Sequence, residues 1–114
     1  MFFRRETEFE ERPISTSKQF AGYLEALDRI EEPVDVVIDD GRCRPQAADR
    51  MRKHLRENGT LVIRGDRAHY KFISSYYSVV AKFSSTMYPG KEFSGMTVYR
   101  NDKVEKQIEY PKWW

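Results

Sequence analysis

Apolar residues along this chain change their spacing several times, and each change predicts an element. Phe20, Tyr23, Leu24, Leu27 and Ile30 recur three or four residues apart, which puts them on one face of a helix. Ser15, Thr16 and Ser17 stand before them as N-cap residues, and Pro33 closes the pattern, so a helix is predicted over about 17–31. Val34 to Ile38 then sets four branched aliphatic residues in five positions, interrupted only by Asp35. A strand without a polar face reads as one covered on both sides, as in a parallel sheet.

The character then changes abruptly to DDGRCR, a charged loop over residues 39–44. Pro45 suits the first turn of a second helix. Ala47, Ala48, Met51 and Leu55 form its apolar stripe, and Asn58-Gly59 is a stop signal. TLVI, residues 60–63, reads as the next strand and RGDR, residues 64–67, as a second charged loop. Tyr70, Ile73, Tyr77 and Val80 predict a third helix over about 67–83. FSGMTVYR, residues 93–100, reads as a strand, half of a hairpin with residues near Met87. Residues 1–15 are an arm or an edge strand, and 102–114 form a tail with Pro111, Trp113 and Trp114. Strands alternating with helices imply one α/β domain over residues 1–114. The expected form is a small, mostly parallel sheet with flanking helices and right-handed crossovers.

Composition narrows the function classes. Twenty basic and 18 acidic residues leave a net charge of +2 in 114 residues, too balanced to point to nucleic acid. The basic helix face Arg50, Arg52, Lys53 and Arg56 is therefore read as solvated, and a nucleic-acid partner is not expected. A single cysteine, Cys43, excludes an internal disulfide and fits a reducing compartment. The longest apolar run is too short to span a membrane, and the opening MFFRRETEFEERP is too charged for a secretory signal. A cytoplasmic location without membrane contact is the expectation.

Ligands of open α/β sheets sit outside the carboxyl ends of the strands, where both charged loops begin. Adjacent parallel strands would bring Asp39, Asp40, Arg42, Arg44, Asp66 and Arg67 onto one rim, with Gly41 and Gly65 allowing close approach. His54, His69 and Cys43 lack ligand spacing, so no metal site is assigned. Cys43 is flanked by Arg42 and Arg44, but no histidine base is near in sequence. It is read as a small, half-buried residue, and no catalytic residue is assigned.

The order Asp40-Gly41-Arg42-Cys43-Arg44, Asn58-Gly59, then Arg67 and Tyr70 is similar to the second half of a class I, Rossmann-like, S-adenosylmethionine-dependent methyltransferase. In one branch of that family the fourth strand ends in Asp-Gly-Arg-x-Arg. A helix, a Gly-terminated turn and a fifth strand follow, then a polar loop with an Arg and, three residues on, a Tyr. The likeness covers about residues 17–101 and includes FSGMTVYRN as the closing strand. It adds Tyr70 to the rim as a cofactor- or substrate-binding residue. The family's cofactor-binding first half, with its Gly-rich turn, has no counterpart, and no G-x-G occurs in the chain. The resemblance therefore implies a methyltransferase-like domain inactive alone and competent only with a complementing partner. S-adenosylmethionine would bind only with that partner, and no cofactor is expected for the isolated chain. The alternative is a non-catalytic binding or assembly module on the same scaffold. A Val-rich strand with one unpaired side is an association hazard. A homodimer through this strand, a complementing chain or the arm folded back would cover it.

Overall fold

The computed structural model describes residues 14–65, 67–88, 91–103 and 107–114, without the side chains of 84–88 and 91–94. The arm expected at residues 1–15 falls, up to residue 13, outside the described residues, as does Asp66.

The chain runs α1 (Ala21–Asp28), β1 (Val34–Asp39), α2 (Arg44–Met51), β2 (Leu55–Arg64), a 3-10 helix (Ala68–Ser75), β3 (Ser78–Tyr88) and β4 (Lys91–Asn101). The strands form one sheet in the order β1-β2-β4-β3. Helical bonding begins ahead of α1, where the Phe20 N–H donates to the Thr16 carbonyl (3.3 Å). Thr16 and Gln19 cap that turn reciprocally. The Thr16 N–H donates to Gln19 Oε1 (3.0 Å) and the Gln19 N–H to Thr16 Oγ1 (3.3 Å), a capping-box arrangement that satisfies two donors at once. Leu24 is the fully buried residue of α1.

Two predicted boundaries move. Leu55 is buried as expected, but as the first residue of β2. Asn58-Gly59 lies inside that strand. Val34 pairs with Leu55 and Val36 with Thr60, so β2 bulges between them, and Asn58 takes φ 63°. The dipeptide supplies a turn where the ladder needs slack.

The third helix is replaced by the 3-10 turn and by β3. Tyr76 and Tyr77 are buried and point at α2. The Tyr77 hydroxyl donates to the Ala48 carbonyl (2.9 Å) and the Tyr76 hydroxyl to that of Pro45. From Ser78 onward, SVV is extended and pairs with β4, as β-branched residues favour. Only residues 89–90 then separate β3 from β4, and a parallel crossover needs a dozen residues or more. The pair is therefore an antiparallel hairpin, and β4 is antiparallel to β2 as well. The sheet is mixed, with β1–β2 its one parallel pair, not mostly parallel as expected.

The core lies on one side of the sheet. Leu61 and Ile63 of β2 and Tyr99 of β4 pack with Ala48, Ile73, Tyr76 and Tyr77. The tail closes this layer through Ile108 and Trp114. Buried Gln46 fixes it, because its Nε2 donates to the carbonyls of Ser15 (2.9 Å) and Trp114 (3.0 Å). The opposite face is open, with Val36 56%, Ile38 74% and Phe83 59% exposed. β1 is thus an edge strand covered on one face, not the doubly covered strand its composition suggested. Among the described residues no strand pairs with its outer side.

Candidate functional site at the carboxyl ends of the parallel strands

Asp39 ends β1 and pairs in the ladder with buried Ile63, which turns its side chain toward the helices. It is 6% exposed, and Oδ2 is buried without a hydrogen-bond partner. Burial pushes its carboxyl up to about 7, against the Gly41 N–H and the Arg44 charge, with Asp40 adding to the rise. Tyr23 of α1 closes the space above. Its hydroxyl lies 3.0 Å from where a Cβ on Gly41 would stand. Burial raises the Tyr23 phenol, and the charge of Asp39 raises it further.

Arg44, the first residue of α2, staples the two loops together. Its Nη2 pairs with Asp40 Oδ1 (3.0 Å) and its Nε donates to the Gly41 carbonyl (3.0 Å). Its Nη1 donates to the Arg64 carbonyl at the end of β2. The guanidinium also sits 5.7 Å from the centre of the Tyr70 ring. The five donors of a planar fork make this division possible. Arg64 adds a longer contact to Asp40 (3.5 Å). Arg67 is half-buried beside Tyr70 and lowers its phenol, against a larger rise from burial.

The expected convergence therefore joins Asp39, Asp40, Arg44, Arg67 and Tyr70. Arg42 is exposed on the turn, with no contact tying it to the others, and Asp66 is outside the described residues. Two participants escaped the sequence reading. Tyr23 carries a helix-stripe spacing that reads as core, and Arg64 takes part through its guanidinium on Asp40 and through a backbone carbonyl that Arg44 reaches, the latter without a sequence signature.

Cys43 is buried in a left-handed conformation (φ 51°), and its thiol donates to the Thr16 carbonyl (3.5 Å). Burial and then Asp39 push the thiol up, so the flanking arginines do not activate it. His69 packs edge-on against Tyr70 and Trp113, and burial and Arg67 lower its pKa. His54, read from sequence as solvated on a helix face, instead sits in the turn before β2 with its Nε2 buried. The arrangement can hold a proton near neutrality at Asp39 and present cationic groups around it. No nucleophile–base pair occurs among the described rim residues. No protein-family model, curated protein or solved structure matches the chain.

The staple predicts unequal costs. Asp40 makes half-exposed ion pairs, so Asp40→Ala should cost about 1 kcal/mol or less. Arg44→Ala removes donors to two carbonyls as well and should cost roughly 1–3 kcal/mol. Urea denaturation of both variants checks the order. Equal costs would mean the ion pair, not the carbonyl contacts, holds the loops.

Proposed function

We propose that this chain is a methyltransferase-like half-domain that becomes competent only when another chain completes its sheet and supplies a cofactor cradle. The observation that carries this is the position of the charged rim. It sits at the carboxyl ends of β1 and β2, and β1 is the outermost strand of the sheet, with no strand on its outer side among the described residues. The segments similar to the family's fourth, fifth and closing strands are β1, β2 and β4, which lie side by side. Asp39, Asp40, Arg44, Arg67 and Tyr70 would then face a ligand held mainly by the other chain. S-adenosylmethionine is that ligand in this reading, and the methyl acceptor is left unassigned.

A second reading rests on the staple itself. Arg44 and Asp40 spend their polar atoms on each other and on loop carbonyls, as expected of a scaffold that kept the loops without the chemistry. On that reading the chain is a non-catalytic binding or assembly module, as a homodimer through β1 or with a different chain.

Calorimetric titration with S-adenosylhomocysteine separates the two. The recombinant chain alone should show no saturable binding at low micromolar concentration. The chain purified from its source together with its partner should bind. A native complex that fails to bind would leave the assembly module standing and reject the catalytic reading.

A further inference from the structure

Asp39 is enclosed by walls of unequal strength. It is 6% exposed, and its Oδ2 is buried without a donor. From its own loop it meets the Gly41 N–H, the Asp40 carboxylate and the Cys43 thiol. Arg44 of α2 is the cation that faces it, but that guanidinium is committed to Asp40 and to the carbonyls of Gly41 and Arg64. Tyr70 of the 3-10 helix, Tyr76 and Tyr77 after it, and Tyr23 of α1 all feel the charge of Asp39. The ladder holds β1 opposite Ile63, and the Arg44 staple pins the loop. The weak wall is α1. Of the other elements it packs against α2 alone. Its apolar contact is a small cluster of Leu24 with Cys43 and Ala47, flanked by Phe20 and Leu27 and separate from the main core. Asp28 ties it to Arg50 and to Lys53 (2.7 Å), partly exposed pairs that contribute little. The turn before it stays fastened, because Gln46 bonds the Ser15 carbonyl.

We infer that α1 is a gate over the rim, shut with Tyr23 above Asp39 while that carboxyl is protonated and swung off α2 when it ionises. The inference is independent of what the rim binds. A charged carboxylate without a donor is costly to keep buried, and a thinly packed helix is the element that opens locally. With α1 shut, the carboxyl titrates at about 7, raised by burial. With α1 away, it returns toward an ordinary Asp value of about 3.9. The shut form therefore has its full advantage below about pH 3.9 and loses it as pH rises through about 7. The open fraction climbs through that window and levels off above it, so the rim is shielded in acid and uncovered above neutrality.

Cys43 reports the gate. It is the one cysteine of the chain and lies 5% exposed against Leu24 of α1. The rate at which the full chain reacts with dithiodipyridine is divided by that of the urea-unfolded chain at the same pH. This ratio follows the open fraction, free of the titration of the thiol itself. Between about pH 5.5 and 8 it should rise ~thirtyfold, the factor set by the two titrations. In Asp39→Asn it should stay level. His69, beside Tyr70, titrates in both proteins, so the comparison removes its effect. Leu24→Ala should raise the ratio at least ~tenfold at pH 5.5 by loosening the cluster. Urea below the unfolding transition should leave the ratio unchanged, because opening one short helix exposes little surface. A level ratio in the unsubstituted chain, or an equal rise in Asp39→Asn, would overturn the inference. So would a ratio that grows with urea as steeply as global unfolding, since the thiol would then be reached only through the unfolded chain. A Leu24→Ala variant no more reactive than its parent would overturn it too, since something other than α1 would then cover Cys43.

Discussion

Replacing Asp39 with Asn is expected to stabilise the protein at neutral pH and to flatten its pH dependence. The folded carboxyl titrates at about 7, raised by burial, whereas in the unfolded chain it titrates near an ordinary Asp value of about 3.9. A raised folded pKa means that the folded state holds the proton more tightly. This contribution is fully present below about pH 3.9 and is lost as pH rises through about 7. The unfolded state then ionises freely while the folded state must ionise a carboxylate whose Oδ2 has no donor. A shift of about three units corresponds to roughly 4 kcal/mol. The isosteric amide removes the titration and keeps the shape, so its advantage over Asp39 should grow by that order between about pH 4.5 and pH 8. Urea melts across that range measure the difference. Parallel curves for the two proteins would mean that the carboxylate is solvated as well folded as unfolded.

The same residue shows how far the amino-acid sequence could be read. Asp39 and Asp40 follow an apolar run and Arg44 precedes a helical stripe, so strand end, loop and helix start were legible, and with them much of the rim. What failed was decided by distant partners. Tyr70, Ile73 and Tyr77 have helical spacing, yet Tyr76 and Tyr77 bond carbonyls of α2 and the residues after them pair with β4. No local pattern contains those contacts, so although a hairpin near Met87 was legible, its first strand's reach back to Ser78 and the mixed sheet were missed together. Likewise, Val34 to Ile38 is apolar on both faces whether or not anything covers the second one. Its exposed Val36 and Ile38 are a surface feature written in core residues. The staple was half visible, because an arginine in the sequence announces its charge but not the carbonyls it will reach.

Gly65→Ala should be the most damaging small substitution in the rim. Gly65 has φ 108°, a conformation open to glycine and strained for any residue with a Cβ. Its N–H donates to the Gly95 carbonyl (2.8 Å), so the backbone cannot turn away without losing a bond to β4. An added Cβ would lie 2.8 Å from Arg44 Nη1 and 3.1 Å from Tyr70 Cε2. A free arginine would swing aside. This one is held by Asp40 and by the carbonyls of Gly41 and Arg64, so relief of the clash breaks the staple. Strain and lost contacts together should cost about 2–4 kcal/mol. Gly22→Ala is the natural control. Gly22 lies in α1 with nothing within 4 Å of its added Cβ, and alanine there should stabilise by about 0.4–1 kcal/mol. Repeating Gly65→Ala in an Arg44→Ala background divides the cost. The part due to the guanidinium should vanish, and the part due to φ and to the Tyr70 ring should remain. If the cost in both backgrounds is below about 0.5 kcal/mol, the loop accommodates a side chain freely and Arg44 does not hold it against β2.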